Sequence, residues 1–217
     1  MSRHLDGTGT GHPILACLDV LEAELDAIKD APAWSLNAEE TEAAITRLAG
    51  DLARLAEVET RLLGQAEALD LPGQLGARSL SDWLARTTRM TKGEAGRRTK
   101  LAKTLSAHDQ TREAVARGDV LPEQATAITA AVDDLDDDLA SEREVAEQHL
   151  IEQAAHFDAY ELRRLGEKLF EVLDPETAEA REAKRLADLE AEARKKAEVK
   201  FRNGGDGTIR GNFVLPE

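Results

Sequence analysis

The chain has 217 residues and a net charge of −15, with 33% charged residues, 41% hydrophobic residues and one cysteine. This balance excludes an integral membrane protein and a disordered chain, and no apolar run reaches the roughly 20 residues of a membrane span. A single Cys17 can form neither an internal disulfide nor a cysteine zinc site, which favours a reducing, cytoplasmic setting. The chain contains 36 Ala and 29 Leu but only seven aromatic residues. This composition favours a mainly α fold.

The first 70 residues predict a helical hairpin behind a disordered N-terminus at residues 1–12. A first helix is expected over residues 13–30, where apolar residues recur at alternating steps of four and three. Proline stops this helix, and Asn37 can cap a second helix over residues 38–68. The short connection makes the two helices antiparallel neighbours, with Trp34 expected as an apolar plug at the turn.

The second helix carries an apolar stripe at heptad spacing that includes one carboxylate. The stripe consists of Ile45, Leu48, Leu52, Leu55, Glu59, Leu62, Ala66 and Leu69. Residues 13–70 are therefore expected to form a coiled-coil-like helical hairpin. Its apolar surface exceeds what one helix pair can hide, so docking within the chain or a homodimer is expected. Glu59 fits a register device or a partner for a basic side chain better than a catalytic acid.

Residues 71–198 predict a multi-helix bundle that contains two short helix pairs. Ser79 and Thr91 are each followed three residues later by an acid, which is the capping-box pattern that opens a helix. A helix with Trp83 as core anchor and a helix over residues 92–105 follow. A second pair is expected over residues 111–117 and 122–132, and both pairs are compatible with helix-turn-helix geometry.

The C-terminal third predicts more helices and then a change of pattern. Helices are expected over residues 139–157 and 158–173, followed by a charged helix to residue 198. Alternating apolar residues around a glycine-rich turn predict a small β-hairpin over residues 199–217. A hairpin with an uncovered apolar face is marginal in water, so we expect it either to be the truncated edge of a larger domain or to pack on the helices or a partner.

The negative charge is unevenly distributed along the chain. Residues 1–74 carry a net charge of −9 and residues 119–217 a net charge of −12, whereas residues 75–118 contain 10 basic and 4 acidic residues and carry +6. On the helix over 92–105, the basic side chains form a stripe opposite the apolar one. Arg98 falls on the apolar side and would need either to snorkel to the surface or to find a buried acid.

This stripe is the candidate nucleic-acid interface. The phosphates of double-stranded DNA would be contacted by Lys92, Arg97, Lys100 and Lys103. Supporting contacts would come from Arg78, Arg86 and Arg89. The alternative is a solvated face or one that meets the acidic helices of the same protein.

Catalytic and metal-binding patterns are absent from the sequence. His149 and His156 are seven residues apart, too far for the four-residue spacing that grips one metal on a helix. The acidic run at residues 133–138 lacks the glycine and terminal glutamate of a calcium loop. Residues 204–207 lack the Lys-Ser/Thr of a phosphate-binding loop. We therefore expect no catalytic residue, no metal site and no cofactor in these 217 residues.

Several short segments resemble the actinobacterial 13E12-repeat family, also called domain of unknown function number 222. The similarity runs from about Leu48 to the end, and its motifs are residues 76–79, 83–84, 91–98, 116–125, 173–175, 179–181, 205–207, 211 and 215–217. Members commonly place this helical domain ahead of a metal-binding HNH nuclease domain. No HNH-type cluster is present here.

Three functions remain open on this evidence. The first is a DNA-associated accessory domain of an HNH-endonuclease-related protein that lacks the nuclease domain itself. The second is a protein-interaction or oligomerisation module without nucleic-acid binding. The third is the N-terminal part of a metal-dependent HNH nuclease, whose activity would need a further C-terminal domain.

Overall fold

The structure is a computed structural model, and it is mainly helical, as predicted. It describes residues 11–135, 140–173, 183, 186, 187, 190, 191, 194, 195, 198–203, 205, 207 and 209–214. Over these residues the helices are α1 (Pro13–Ile28), α2 (Ala38–Ala68), α3 (Leu71–Gln74), α4 (Leu80–Thr88), α5 (Lys92–Leu105), α6 (Asp109–Arg117), α7 (Pro122–Asp133), α8 (Ala140–Gln153) and α9 (Ala159–Leu173). A 3-10 turn spans Ala33–Ser35.

The chain divides into two compact units, Met1–Arg47 and Leu48–Glu217. The division falls inside α2, so the second unit includes the second half of this long helix. The domain limits proposed from the sequence stay predictions. The predicted disorder of residues 1–12 falls mostly outside the described residues.

The first unit contains α1, the 3-10 turn and the start of α2. Asn37 caps α2 as predicted, because its Oδ1 accepts a hydrogen bond from the backbone N–H of Glu40 at 2.9 Å. The carboxylate of Glu40 in turn accepts from the N–H of Asn37 at 2.9 Å, which completes a reciprocal capping box. The expected role of Trp34 as a plug is wrong, because this side chain is 88% exposed.

The core of the second unit lies around α7, which contacts α5, α6, α8 and α9. Its largest fully buried side chains include Leu105, Val115, Ile128, Leu150 and Leu162, one from each of five helices. Many other core positions are alanine, so these helices approach closely. At the crossing of α7 and α9, for example, a Cβ atom added at Gly166 would lie 2.4 Å from the Cβ of Ala131.

A second apolar cluster joins α2, α4 and α5. It contains Leu63, Leu84, Ala85, Ala95 and Ala102. Leu80, Trp83 and Met90 pack against it. Trp83 is therefore a partly buried anchor of this cluster, as expected.

The second half of α2 buries a face that shares only Ala66 with the predicted heptad stripe. The buried residues are Ala53, Glu57, Thr60, Leu63 and Ala66. Most leucines of the predicted stripe stay outside: Leu48, Leu52, Leu62 and Leu69 are between 43% and 58% exposed. Alanine and threonine take little space in this contact, and the buried Glu57 is paired with Arg61 and Arg112.

Two glycines set how closely α2 approaches the turn between α6 and α7. Gly118 ends α6 in the left-handed region at φ 85°, as expected of a C-terminal glycine. A Cβ atom added to Gly118 would lie 2.9 Å from the carbonyl oxygen of Gly50 on α2. Both the backbone conformation and the close contact therefore require glycine at position 118.

The C-terminal strands β1 (Glu198–Asn203) and β2 (Ile209–Val214) are antiparallel, with Phe201 opposite Gly211. The turn between them is only partly within the described residues, so the predicted β-hairpin stays a prediction. The predicted charged helix before residue 198 lies largely outside the described residues. Within the part of the chain that the structure describes, no helix is long and apolar enough to cross a membrane.

Candidate nucleic-acid interface

Two capped helices, α4 and α5, present the predicted basic residues. The Ser79 hydroxyl oxygen accepts from the N–H of Asp82, and the Thr91 hydroxyl oxygen accepts from the N–H of Glu94, each at 3.2 Å. These bonds satisfy N–H groups that a helix start would otherwise leave unpaired. Arg89 ends α4 at φ 59°, in the left-handed region, and so turns the chain into α5.

Helix α5 separates its small apolar residues from its cations. Ala95, Ala102 and Leu105 are buried in the core clusters. The four cations named from the helical wheel are all exposed; they are Lys92, Arg97, Lys100 and Lys103. We call these four residues the basic face of α5. Their exposure agrees with the wheel, whereas contact with nucleic acid stays a prediction.

Two members of the basic face have acidic neighbours. Arg97 forms an ion pair with Glu94 on the same helix. The Lys92 ammonium lies 3.9 Å from a carboxylate oxygen of Asp82, and the side chain is 89% exposed. Among the described residues, Lys100 and Lys103 have no ion-pair partner. An exposed cation without an ion-pair partner is available to bind an external anion.

The three supporting arginines, Arg78, Arg86 and Arg89, differ in how they relate to the basic face of α5. Arg86 lies 3.9 Å from the other oxygen of Asp82, so Asp82 links it to Lys92 across the α4–α5 turn. Arg78 and Arg89 are exposed at the two ends of α4. The described contacts do not join either of them to the basic face.

Arg98 lies on the inward side of α5 and is paired with two acids. Its Nη1 donates to both carboxylate oxygens of Glu59 on α2, at 2.9 and 3.1 Å, and its Nε donates to Glu94 at 2.7 Å. Hydrogen bonds from Arg98 and then Arg97 hold the pKa of Glu94 below its usual value. Glu59 is therefore a partner for a basic side chain, as the sequence indicates, and the cluster ties α2 to α5.

A groove beside the basic face contains two residues that the sequence did not single out. It lies between α5, α7 and α9 and encloses about 550 Å³. Its lining is Arg97, Lys100, Leu101, Thr104, Glu123, Thr126, Asp158, Ala159, Tyr160 and Arg163. Tyr160 and Arg163 come from α9, about 60 positions after Lys100 in the chain. An exposed tyrosine three residues before an arginine on an amphipathic helix is the only sequence signal for them.

A second groove, of about 690 Å³, lies between α2, α5 and α7 and shares Arg97, Leu101, Glu123 and Thr126 with the first. Leu52, Leu55, Leu101 and Pro122 supply its apolar lining, and the Arg98 cluster supplies its charged part. Of its two cations, Arg98 is paired with Glu59 and Glu94, and Arg97 is paired with Glu94. The α5–α7–α9 groove is therefore the better site for an anion.

A further cluster of ionisable groups is buried at the start of α6. The Oε1 atom of Glu147 on α8 accepts from the Thr111 backbone N–H at 2.9 Å and from its hydroxyl at 2.7 Å. His108 lies between two carboxylates. Its Nδ1 is 3.8 Å from a carboxylate oxygen of Glu147, and its Nε2 is 3.0 Å from a carboxylate oxygen of Asp133. Glu147 therefore caps α6 from another helix.

The two central groups of this cluster shift each other's pKa. The Glu147 carboxylate raises the pKa of His108, although burial opposes the change. Burial would raise the pKa of Glu147, but hydrogen bonds from His108 and Thr111 lower it on balance. Each group therefore favours the charged form of the other. No group of three His, Cys, Asp or Glu residues that could hold a metal ion occurs among the described residues.

Comparison with known proteins gives one informative match. Neither the curated proteins nor the solved structures give a match to this chain. A family model, described as "Domain of unknown function (DUF222)", matches residues 42–201. The match covers most of the chain and includes α4, α5, the grooves and the Glu147 cluster. The chain therefore belongs to the family described as a domain of unknown function, DUF222.

Proposed function

We propose that this domain contacts the backbone of double-stranded DNA through the basic face of α5. The observation that carries the proposal is the exposure of four cations on one side of a helix whose other side is buried by alanine and leucine. Exposed cations on one helix face can lie along a row of phosphates. Arg86, which shares Asp82 with Lys92, extends the surface towards α4.

The expected binding is weak and dependent on salt. About four phosphate contacts give a slope near −3.6 for the logarithm of the binding constant against the logarithm of salt concentration. The affinity then falls roughly 100-fold between 50 and 200 mM salt. The acidic flanks, with net charges of −9 and −12, repel DNA elsewhere and favour this single face.

Within a larger system, we propose the role of an accessory domain in an HNH-endonuclease-related protein of actinobacterial type, acting in the cytoplasm. This part rests on the sequence resemblance to the 13E12-repeat family.

A related proposal is that the chain is the N-terminal part of a metal-dependent HNH nuclease. Sequencing the gene downstream of the codon for Glu217 tests this, since an in-frame HNH cluster is then expected. Metal-dependent cleavage by residues 1–217 alone would contradict the accessory role.

Charge reversal on the basic face tests DNA binding directly. The variant Lys92→Glu/Lys103→Glu changes two exposed cations that do not line the α5–α7–α9 groove. Fluorescence anisotropy with a 20-base-pair duplex at several salt concentrations should show the slope falling from about −3.6 to about −1.8, as two of four contacts are lost.

A matched control keeps the same change in net charge. In Arg54→Glu/Arg117→Glu, both cations are exposed and lie on α2 and at the end of α6. Both arginines pair with exposed acids, so stability changes little. Equal loss of duplex binding in the two variants would mean that net charge, and not the basic face, controls binding. Unchanged binding in the Lys92/Lys103 variant at low salt would refute the proposal.

A second candidate function is self-association through the exposed stripe of α2. Leu48, Leu52, Leu62 and Leu69 are spaced along one helix and roughly half exposed. Such a row is typical of a helix that pairs with another helix. Light scattering at high protein concentration tests this candidate, and a strict monomer would count against it.

A further inference from the structure

The α5–α7–α9 groove has the components of a site for an unpaired nucleotide. Its volume of about 550 Å³ falls within the range of small-ligand sites, roughly 300–1,000 Å³. It also combines an exposed aromatic ring with cations from two helices. The basic face of α5 contributes Arg97 and Lys100 to one wall, and α9 contributes Tyr160 and Arg163 to the other.

Tyr160 is placed as a stacking platform at the edge of this groove. It lies in the first turn of α9, where Asp158 accepts its backbone N–H at 2.8 Å, and its side chain is 64% exposed. The exposed ring of a tyrosine is large, apolar and planar, which suits a nucleobase. The backbone hydrogen bond fixes the start of the helix and therefore the backbone position from which the ring projects.

The charges of the groove favour an anion on the side of Lys100 and Arg163. Neither of these two cations has an ion-pair partner among the described residues. Two acids, Glu123 and Asp158, share the lining. Asp158 already accepts two backbone hydrogen bonds at the start of α9, both at 2.8 Å. The groove therefore offers an anion two cations that the described contacts leave unpaired, Lys100 and Arg163, whereas Arg97 is already paired with Glu94.

We propose that this groove binds an unpaired nucleotide of a single-stranded DNA segment. The base stacks on Tyr160, and the adjoining phosphate contacts Lys100 and Arg163. The inference rests on the proposed DNA-binding function and extends it, because a duplex keeps its base faces stacked inside. Aromatic side chains beside a basic groove are the combination that single-strand binding uses. The domain would then contact duplex on the basic face and a frayed or open strand in the groove.

The chain allows a direct test because Tyr160 is its only tyrosine. Protein labelled with 3-fluorotyrosine gives a single ¹⁹F resonance, which can be titrated with a 20-nucleotide oligo(dT) and with a blunt 20-base-pair duplex. The oligo(dT) should shift this resonance, and the duplex should shift it far less. A Tyr160 resonance that stays in place at saturating oligo(dT) would overturn the proposal.

Variants make the same test by affinity. Tyr160→Ala should weaken oligo(dT) binding by between about 5- and 150-fold, which corresponds to the loss of stacking for one base. It should leave duplex binding unchanged. Tyr160→Phe keeps the ring and should bind oligo(dT) like the wild type. Trp34→Ala removes an aromatic side chain that is 88% exposed elsewhere and should have no effect.

The outcomes separate this inference from the proposed function. If Tyr160→Ala binds oligo(dT) within twofold of the wild type, the groove proposal fails, whatever the duplex data show. If the Lys92→Glu/Lys103→Glu variant keeps full duplex binding while Tyr160 still responds to oligo(dT), the duplex proposal fails and the groove proposal stands. Absence of binding to either probe at low salt overturns both.

Discussion

The buried carboxylate of Glu147 makes a strong prediction about stability. It caps α6 from α8 by accepting both the backbone N–H and the hydroxyl of Thr111, which is fully buried. Glu147→Ala leaves these two donors without an acceptor. An unsatisfied buried donor costs about 1–3 kcal/mol. Water entering the vacated space offsets part of this cost, so we expect the free energy of unfolding to fall by about 2–4 kcal/mol.

Glu147→Gln separates the hydrogen bonds from the charge. The amide oxygen can still accept both Thr111 bonds, so the loss should be smaller, on the order of 1 kcal/mol. The amide cannot stabilise a charged His108. The pKa of His108 should therefore fall, and the part of the stability that depends on His108 protonation should shrink to what Asp133 still supplies.

The pH dependence follows from the two shifted groups. The pKa of His108 is raised above 6.5, so its contribution is complete below that value and is lost as the pH rises through the raised pKa. The pKa of Glu147 is lowered below 4.5, so its contribution is complete above that value and is lost as the pH falls through the lowered pKa. The cluster therefore stabilises the fold most between about pH 4.5 and 6.5.

Urea unfolding followed by far-ultraviolet circular dichroism measures these effects at pH 5.5 and pH 8. The wild type should lose part of this stability at pH 8, and Glu147→Gln should lose much less between the two values. Glu144→Ala, on the exposed side of the same helix, is the control and should change stability by less than about 0.5 kcal/mol. A Glu147→Ala protein within about 0.5 kcal/mol of the wild type at pH 5.5 would refute the capping role.

Two further predictions concern packing and charge. Gly118→Ala should destabilise the fold by about 2–4 kcal/mol in urea unfolding, because the added Cβ meets the Gly50 carbonyl and the backbone is left-handed. Gly64→Ala on α2 meets no atom within 4 Å and should instead stabilise by about 0.5–1 kcal/mol, so equal effects of the two changes would contradict the contact. Arg98→Ala should cost about 1 kcal/mol, since the ion pairs are 43% exposed on the arginine side, and the cost should shrink in high salt; a cost independent of salt would point to lost packing instead.

Local signals in the sequence were sufficient to predict where most helices begin and end. Asn37 with Glu40, and Pro122 after Gly118, place the starts of α2 and α7 within a residue of where they lie. The physical reason is that a cap or a proline acts through hydrogen bonds within one turn. The outward direction of the α5 cations was also predictable, since it depends only on helical periodicity and the choice of apolar side.

Contacts between distant segments were not predictable in this way. The heptad stripe of α2 marks its leucines, yet the second unit buries Ala53 and Thr60 instead. A heptad stripe identifies the apolar side of an isolated helix, but it does not show which face of that helix packs against another segment. The Glu147–Thr111 bonds join residues 36 positions apart. Tyr160 likewise reaches the basic face only because α7 and α9 pack together, and no local pattern encodes this crossing.

The inner and outer cations of α5 differ in what surrounds them, and this difference decides which of them can serve a ligand. Arg98 faces α2 and is engaged by two carboxylates at 2.7–3.1 Å, so it is bound up in holding the helices together. Lys103 faces outward and has no acidic partner among the described residues. Small residues at Ala95 and Ala102 fill the buried side of α5, and the cations other than Arg98 lie on its exposed side. The net charge of −15 is thus compatible with a basic surface, because part of the acid supplies partners for inward cations such as Arg98.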